Sequence, residues 1–518
     1  MHLTGGGLGL PEAKQSELVQ QRLPEVSRCH SSGWLRCQFV KGRTWNGLSA
    51  TQFFYRSGSR TADIGRTNGY GKRQDKIFHM EKRRDNLMRW VAGGHGFVRA
   101  YHSVLRNKGA AGVDGLKTED LPRYLAFNWE SIKEKLLKGG YCPQLVRGVK
   151  IPKPSGGARQ LGIPTVMDRL LQQSIHQVLS PIWEGSFSAY SYGFRPNRSA
   201  QGALQQAVEY INSGRHWVID LDLKSFFDRV NHDKLMNLIS RKVADKTLLQ
   251  LIRRYLRSGI MEGGTVQPRT EGTPQGGPLS PLLSNILLNE LDMELEKRGH
   301  KFVRYADDCS IFLKSKSAAE RVLASISRFL EKKLHLEVNQ EKTKIVRPVN
   351  FTLLGHGFVP TYKKGEQGKY QLCVAKASWG RLKRKIKEIT RKTTPKTVQE
   401  RIEALNQLMR GWVNYFKHAT GYQKFKDLDT WVRCRLRYCI WKQWKRPKRR
   451  MRAFLQLGVE ASWARRFAYS RMGGWAIACS PIMGTTVTEA RLRQRGYIPF
   501  LEYYLNVKHG NKTESKPK

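Results

Sequence analysis

Asp220 and Asp222 stand in the run Val218 to Lys224, and Asp307 and Asp308 close the tetrad that begins Tyr305, Ala306. Both clusters lie in apolar stretches. His216 to Leu223 reads as a buried strand, and Lys301 to Leu313 as two short strands joined at Asp307 and Asp308. Such a hairpin pushes two adjacent carboxylates into the open. Carboxylates crowded at strand ends raise one another's pKa unless a cation neutralises them. Magnesium does so with oxygen ligands, typically one or two carboxylates plus substrate phosphates and water. Two such ions roughly 3.5–4 Å apart can activate a hydroxyl and stabilise a leaving pyrophosphate. The chemistry these residues point to is nucleotidyl transfer.

The elements around the clusters follow from local pattern. Helical periodicity covers about 83–105, 128–138, 168–180 and 199–212, and a basic segment from Val149 to Arg159, punctuated by Pro and Gly, suits a hairpin. Gly272 to Pro281 lies between the acidic clusters, with Ser280 placed as N-cap and Pro281 as first residue of a helix running to about Glu296. Its glycines let backbone approach a ligand closely. After about residue 350 the acidic motifs stop, and Lys and Arg interleave with Trp and Tyr in helical stretches at Trp379–Thr390, Val398–Tyr415 and Leu428–Trp444. Pro447 is expected to end the last of these inside the basic run 442–450.

The chain has 518 residues, with 92 Lys and Arg against 42 Asp and Glu, a formal charge of +50. That imbalance makes a compact fold repel itself unless a polyanion binds, so nucleic acid is the expected partner. No apolar run approaches the ~18 residues of a membrane-spanning helix. The eight cysteines contain no Cys-x-x-Cys pair, which points to a reducing cytoplasm without structural zinc. Residues 1–80 lack lasting periodicity and read either as a disordered basic leader or as a misassigned start, with Met80 the alternative initiator.

From about Arg83 to Lys508 the ordered series of segments resembles the reverse transcriptases encoded by bacterial group II introns, which are both polymerases and splicing maturases. The resemblance implies an α+β right-hand polymerase. Fingers and an antiparallel palm would occupy 81–360, thumb/maturase helices 361–450, and a basic nucleic-acid-binding extension 451–518. It puts two Mg2+ ions on Asp222, Leu223, Asp307 and Asp308, with Asp222, Asp307 and Asp308 as the catalytic cluster. Asp220 and Asp228 are not needed as ligands.

The same resemblance makes Lys153 and Arg159 the grip on the triphosphate, Phe227 the ring that clashes with a 2′-hydroxyl, and Gln275 with Gly276 the turn beneath the nascent base pair. Gln160 departs from the usual proline after the fingers arginine. Arg195 falls in a segment near the template, and Arg410, Lys442, Lys445 and Arg446 are RNA contacts of the maturase half. Trp412 and Tyr415 read as core. The segment Leu353 to Phe358 resembles the end of the palm, with His356 loosening its spacing.

The partners implied are group II intron RNA, an RNA template with a DNA primer, target DNA and dNTPs. Cys434, Cys439 and Cys479 lack the metal-ligand spacing of the endonuclease that many relatives carry, so mobility would depend on a pre-existing primer. Three alternatives stay open: a maturase with an idle polymerase, a domesticated or defence-associated reverse transcriptase, and an RNA polymerase.

Overall fold

The computed structural model describes residues 86–152, 157–362, 365–366 and 368–510. The expected leader at 1–80 and Lys153 lie outside them. The helical stretch expected at 83–105 is split into α1 (Leu87–Val91) and α2 (His95–Asn107), with Gly94 as the N-cap of the second. Then come α3 (Leu121–Leu137) and the hairpin β1 (Val146–Pro152) and β2 (Ala158–Ile163), which pairs Lys150 with Gln160 and Ile151 with Arg159. Two long helices follow, α4 (Val166–Glu184) and α5 (Ala200–Asn212), capped by the hydroxyls of Thr165 and Ser199.

The palm begins at β3 (Trp217–Leu221) and continues through α6 (His232–Ser240), α7 (Lys246–Arg257), β4 (Ile260–Glu262) and β5 (Thr265–Gln267). It resumes with α8 (Ser280–Lys297), β6 (Lys301–Tyr305), β7 (Asp308–Leu313), α9 (Lys316–Phe329) and β8 (Lys344–Val346). Its antiparallel sheet has the order β6-β7-β3-β8, so the strand bearing Asp220 is central. Val218, Ile219 and Leu221 are all buried, because both faces of the sheet are covered. That is why the run is continuously apolar rather than alternating. The fingers sheet, β2-β1-β4-β5, joins β1 and β4 in parallel.

A second hairpin, β9 (Thr352–Leu353) and β10 (His356–Pro360), turns through Leu354 and Gly355, both at positive φ, and pairs with β11 (Tyr370–Val374). The helical half comprises α10 (Lys376–Ile389), α11 (Val398–Phe416), α12 (Tyr422–Gln443), α13 (Pro447–Gln456), α14 (Ala461–Ala468), α15 (Gly474–Cys479), α16 (Pro481–Thr486), α17 (Glu489–Gln494) and α18 (Phe500–His509). The basic run is therefore divided. α12 stops at Gln443, and Pro447 starts a new helix, where its missing N–H costs nothing.

The boundary expected near 450 does not coincide with a break in packing. Phe454, Ile477, Met483, Phe500 and Tyr504 share one apolar core with Leu405, Met409 and Phe425, and that core continues into the palm at Val218 and Phe312. Asp429 fastens the chain's end. Its carboxylate accepts hydrogen bonds from the Phe500 and Leu501 backbone N–H groups at 2.7 and 2.9 Å and from the Tyr497 hydroxyl at 3.1 Å. Trp412 packs on Trp379 and Phe416 against the apolar core as expected, whereas Tyr415, expected in the core, is 37% exposed and its hydroxyl donates to the Leu354 carbonyl at 3.0 Å, tying helix to hairpin.

Candidate active site

Where the palm sheet meets the fingers hairpin there is a cleft of about 430 Å3, lined by Asp222, Leu223, Phe227, Gln275 and Asp307, with Lys150 and Gln160 on the hairpin side. Asp222 lies just beyond the end of β3. Its backbone is pinned on both sides: its N–H donates to Thr343 Oγ1 at 3.2 Å, and its carbonyl accepts from the Asn339 N–H at 2.8 Å. The same loop delivers Lys342, whose Nζ sits 3.6 Å from Asp222 Oδ1.

Asp307 occupies the turn between β6 and β7. Ala306, the residue before it, has a φ of 60°, a left-handed conformation that costs an L-residue roughly 1–2 kcal/mol. The turn is held from below. Arg304, fully buried, grips Asp292 with two bonds of 2.7 and 2.5 Å, donates to Asn285 Oδ1 at 2.9 Å, and donates to the Ala306 carbonyl at 2.8 Å. Asn285 in turn donates to the Gly193 carbonyl at 2.9 Å. A Cβ on Gly193 would collide with the Ala306 backbone, so this segment lies flush under the turn only because it carries glycine there.

Phe227 follows the buried Phe226 in a short 3-10 turn, Phe226–Asp228. Its carbonyl accepts from the Thr273 N–H at 2.6 Å, which ties the ring's backbone to the segment carrying Gln275. The Gln275 carbonyl accepts from the Gly162 N–H on β2 at 2.7 Å, joining palm to fingers. Gly276 has a φ of 120°, and a Cβ there would run into the Gly162 carbonyl, so no other residue fits this turn without displacement. Ser280 is not the N-cap. It lies inside α8, and its hydroxyl donates to the Pro274 carbonyl at 2.6 Å, closing the turn instead.

The electrostatics are those of crowded acid. Asp308 is reachable by solvent, yet desolvation by surrounding protein, reinforced by Asp307, Asp220 and Asp222, pushes its carboxyl up to about 6. Asp220 is also pushed up to about 6, first by desolvation and then by Asp222, with Lys344 opposing. A divalent cation placed among these groups relieves that repulsion. Among the described residues no three carboxylate, imidazole or thiol groups form a ready-made metal cage. Magnesium does not require one, since substrate phosphates and water complete its shell.

Residues 151–358 match the family described as "Reverse transcriptase (RNA-dependent DNA polymerase)", and residues 380–457 match "Group II intron, maturase-specific domain". "Protein YkfC" of Escherichia coli (strain K12) is 34% identical over 315 residues, which span 53% of this chain and 82% of that protein. The chain belongs to the group II intron reverse transcriptase/maturase family. "Group II intron-encoded protein LtrA" of Lactococcus lactis subsp. cremoris is 31% identical over 324 residues, 50% of this chain and 54% of LtrA, so the chain spans about half the length of that relative. A solved "Partial Cas6-RT-Cas1--Cas2 complex" is similar with a TM-score of 0.32 at 26% identity, covering 48% of this chain and 43% of the other. RNA-directed DNA polymerisation and intron maturation are the activities of the two matched domains, and the polymerase family uses divalent metal ions.

Within this reverse transcriptase/maturase the sequence-derived site residues separate into groups. Asp222, Leu223, Phe227, Gln275 and Asp307 meet in the cleft. Asp308 stands behind them and is felt through its charge, and Gly276 shapes the turn. Lys153 and the Arg159 side chain fall outside the described structure. Arg195 is corrected: it is buried, paired with Glu184 Oε1 at 2.7 Å, and donates to the Ser188 and Ser191 carbonyls, so its charge does not face a template. Arg410, Lys442, Lys445 and Arg446 are exposed on the helical half, away from the cleft's lining. Lys342 and Lys150 were not singled out in the sequence. Nothing local distinguishes them among 92 basic residues, because only the fold brings them to the acids. No helix among the described residues is long and apolar enough to cross a membrane.

Proposed function

We propose that this chain extends a DNA primer on an RNA template with deoxynucleoside triphosphates, with Asp222, Asp307 and the Leu223 carbonyl holding two magnesium ions. When bound, such ions activate the attacking 3′-hydroxyl and stabilise the leaving pyrophosphate. The observation that carries the reading is the convergence of Asp222, Phe227, Gln275 and Asp307, distant in sequence, in one open cleft.

The chain's own groups do the positioning. Phe227 presents a half-buried ring where a sugar 2′-hydroxyl would clash, and Gln275 with Gly276 supports the nascent pair. Lys150 and Lys342, with Lys153 and Arg159 from the fingers hairpin, draw the triphosphate to the acids by charge. Asp308 adds negative potential behind the metal ligands. Fingers and palm at 81–360, thumb/maturase helices at 361–450 and the extension at 451–518 together hold the protein's own intron RNA and the target DNA, with Arg410 and Arg446 among the phosphate contacts. Binding the folded ribozyme in preference to unfolded RNA supports splicing by differential affinity. The protein works in the bacterial cytoplasm, a setting in keeping with the six free cysteines among the described residues.

Primer extension on poly(rA) with oligo(dT), dTTP and Mg2+ tests the reading. The purified protein should extend the primer, EDTA should stop it, and rUTP should be a poor substitute. An Asp222→Ala variant that still binds RNA and extends as well as the wild type would overturn the site assignment.

A further inference from the structure

A second cavity, of about 540 Å3, opens on the helical half between the loop joining α10 to α11 and the C-terminal end of α12. It shares no lining residue with the polymerase cleft. Lys392, Lys396, Lys442 and Lys445 surround it, with Thr394 beside them. Among the described residues none of the four ammonium groups is in an ion pair with a carboxylate. Glu400, the acid on the rim, accepts from the Thr397 N–H at 2.7 Å and from its hydroxyl at 3.0 Å, and is occupied in capping α11.

The cavity is built rather than incidental. Arg401 is buried beneath it, and its guanidinium donates to the carbonyls of Ile389, Arg391, Thr394 and Lys396 at 2.6 to 3.2 Å. Those bonds fix the loop in a curl around a positive charge that makes no ion pair among the described residues, the Glu400 carboxylate acting on it only through space. An exposed rim of lysines over a fixed cationic floor is a site for phosphate.

An aromatic ladder runs on from the cavity along α12. Arg435 lies within 5.7 to 6.0 Å of the ring centroids of Trp431, Tyr438 and Trp475, and donates to the Thr390 hydroxyl at 2.9 Å, at the base of the same loop. Lys442 belongs to both features, since it lines the cavity and lies 5.7 Å from the Tyr438 ring. α15 packs closely here because a Cβ on Gly474 would already be 3.1 Å from Lys442 and Trp441, and that approach sets Trp475 beside Tyr438, 40% exposed. Bases of an unpaired strand stack on such rings, whereas a duplex hides its base faces.

We propose that this groove binds single-stranded nucleic acid, with phosphates among Lys392, Lys396, Lys442 and Lys445 and an unpaired base on Trp475. The site deepens the proposed function by giving the helical half an unpaired-strand subsite apart from the cleft, and it rests on that reading only for its biological use.

Fluorescence anisotropy of the full-length chain with short rU and dT oligomers, and with a duplex of equal length, tests it across a salt series. Primer extension on a short template is measured in parallel. Trp475→Ala should weaken single-strand binding about 5-fold or more. Lys392→Gln with Lys396→Gln should flatten the slope of log affinity against log salt by about 0.7 for each phosphate no longer neutralised. Extension should be unchanged in both variants. Equal losses on duplex and single strand would overturn the unpaired-base assignment, as would wild-type binding in both variants. A parallel fall in extension would place the groove on the polymerase's template track and overturn its independence. Absence of extension in the wild type, with groove effects intact, would sink the polymerase reading and leave this one standing. The rU and dT arms distinguish an RNA from a DNA strand, and preference for either over duplex supports the site.

Discussion

The turn that carries Asp307 and the layer directly beneath it treat charge in opposite ways. In the cleft, Asp220, Asp222, Asp307 and Asp308 press on one another, and among the described residues the ion pair these four acids make is the 3.6 Å contact between Lys342 and Asp222. Beneath, Arg304 and Asp292 are fully buried, and every close contact is matched in sign and geometry. Burial raises the Asp292 carboxyl, with Arg304 opposing that rise. Acid left unmatched at the surface is available to a cation and its substrate, while acid matched in the interior fixes the shape of the turn. The helical half repeats the lesson with the sign reversed: Arg401 and Asp429 are saturated with partners, and the lysines around the second cavity are not.

The sharpest way to break this contrast is to unmatch the buried pair. Arg304→Met leaves Asp292 buried and alone, which costs about 3–5 kcal/mol. The variant should lose that much in urea unfolding and most of its primer extension. Arg304→Met with Asp292→Leu should recover much of the stability. It should not recover the extension, because the bond to the Ala306 carbonyl is still missing. Recovery of both would show that Arg304 serves packing alone.

A smaller effect is expected at Phe227. Phe227→Ala should leave dTTP incorporation within about 10-fold of wild type and raise rUTP incorporation, since a steric gate discriminates by one clash, about 1–3 kcal/mol for a pocket-filling group. A wild type indifferent to the sugar, or a variant with unchanged preference, would detach the ring from the sugar.

The smallest effect concerns pH. Asp220 and Asp308 are raised from the usual 3.8 to about 6, so between about pH 4 and 6 they hold protons in the folded protein that the unfolded chain has released. Stability falls with pH wherever the folded state binds more protons. In EDTA, the urea midpoint of the wild type relative to Asp220→Asn should therefore drop through that window and level off above it. Mg2+ should reduce the drop. A wild-type midpoint that rises relative to the variant would contradict the crowding.

Much of this was readable from the sequence because it is local. The strand around Asp220 and Asp222 and the hairpin that exposes Asp307 are set by neighbours within a few residues, whereas the turn at Gln275 and Gly276 closes against Gly162 of the fingers and was legible only through the family resemblance. What escaped depends on partners that only the fold supplies. Arg195 looked like any basic residue near a template, yet Glu184 and two carbonyls claim it. Lys342 reaches Asp222 from a loop far along the chain, and the extension after residue 450 packs into the thumb core through Asp429. Pro447 illustrates a subtler limit, since it was expected to end a helix, yet α12 has already stopped at Gln443 and Pro447 starts the next one, and the charge run gives no sign of the break.

The most direct test compares single-nucleotide dTTP incorporation by Asp307→Asn and Asp220→Asn across a Mg2+ titration, each checked for intact RNA binding. Incorporation should vanish for Asp307→Asn at every Mg2+ concentration and persist for Asp220→Asn with little change in Mg2+ demand. Robust incorporation by Asp307→Asn, or its loss in Asp220→Asn alone, would contradict the account.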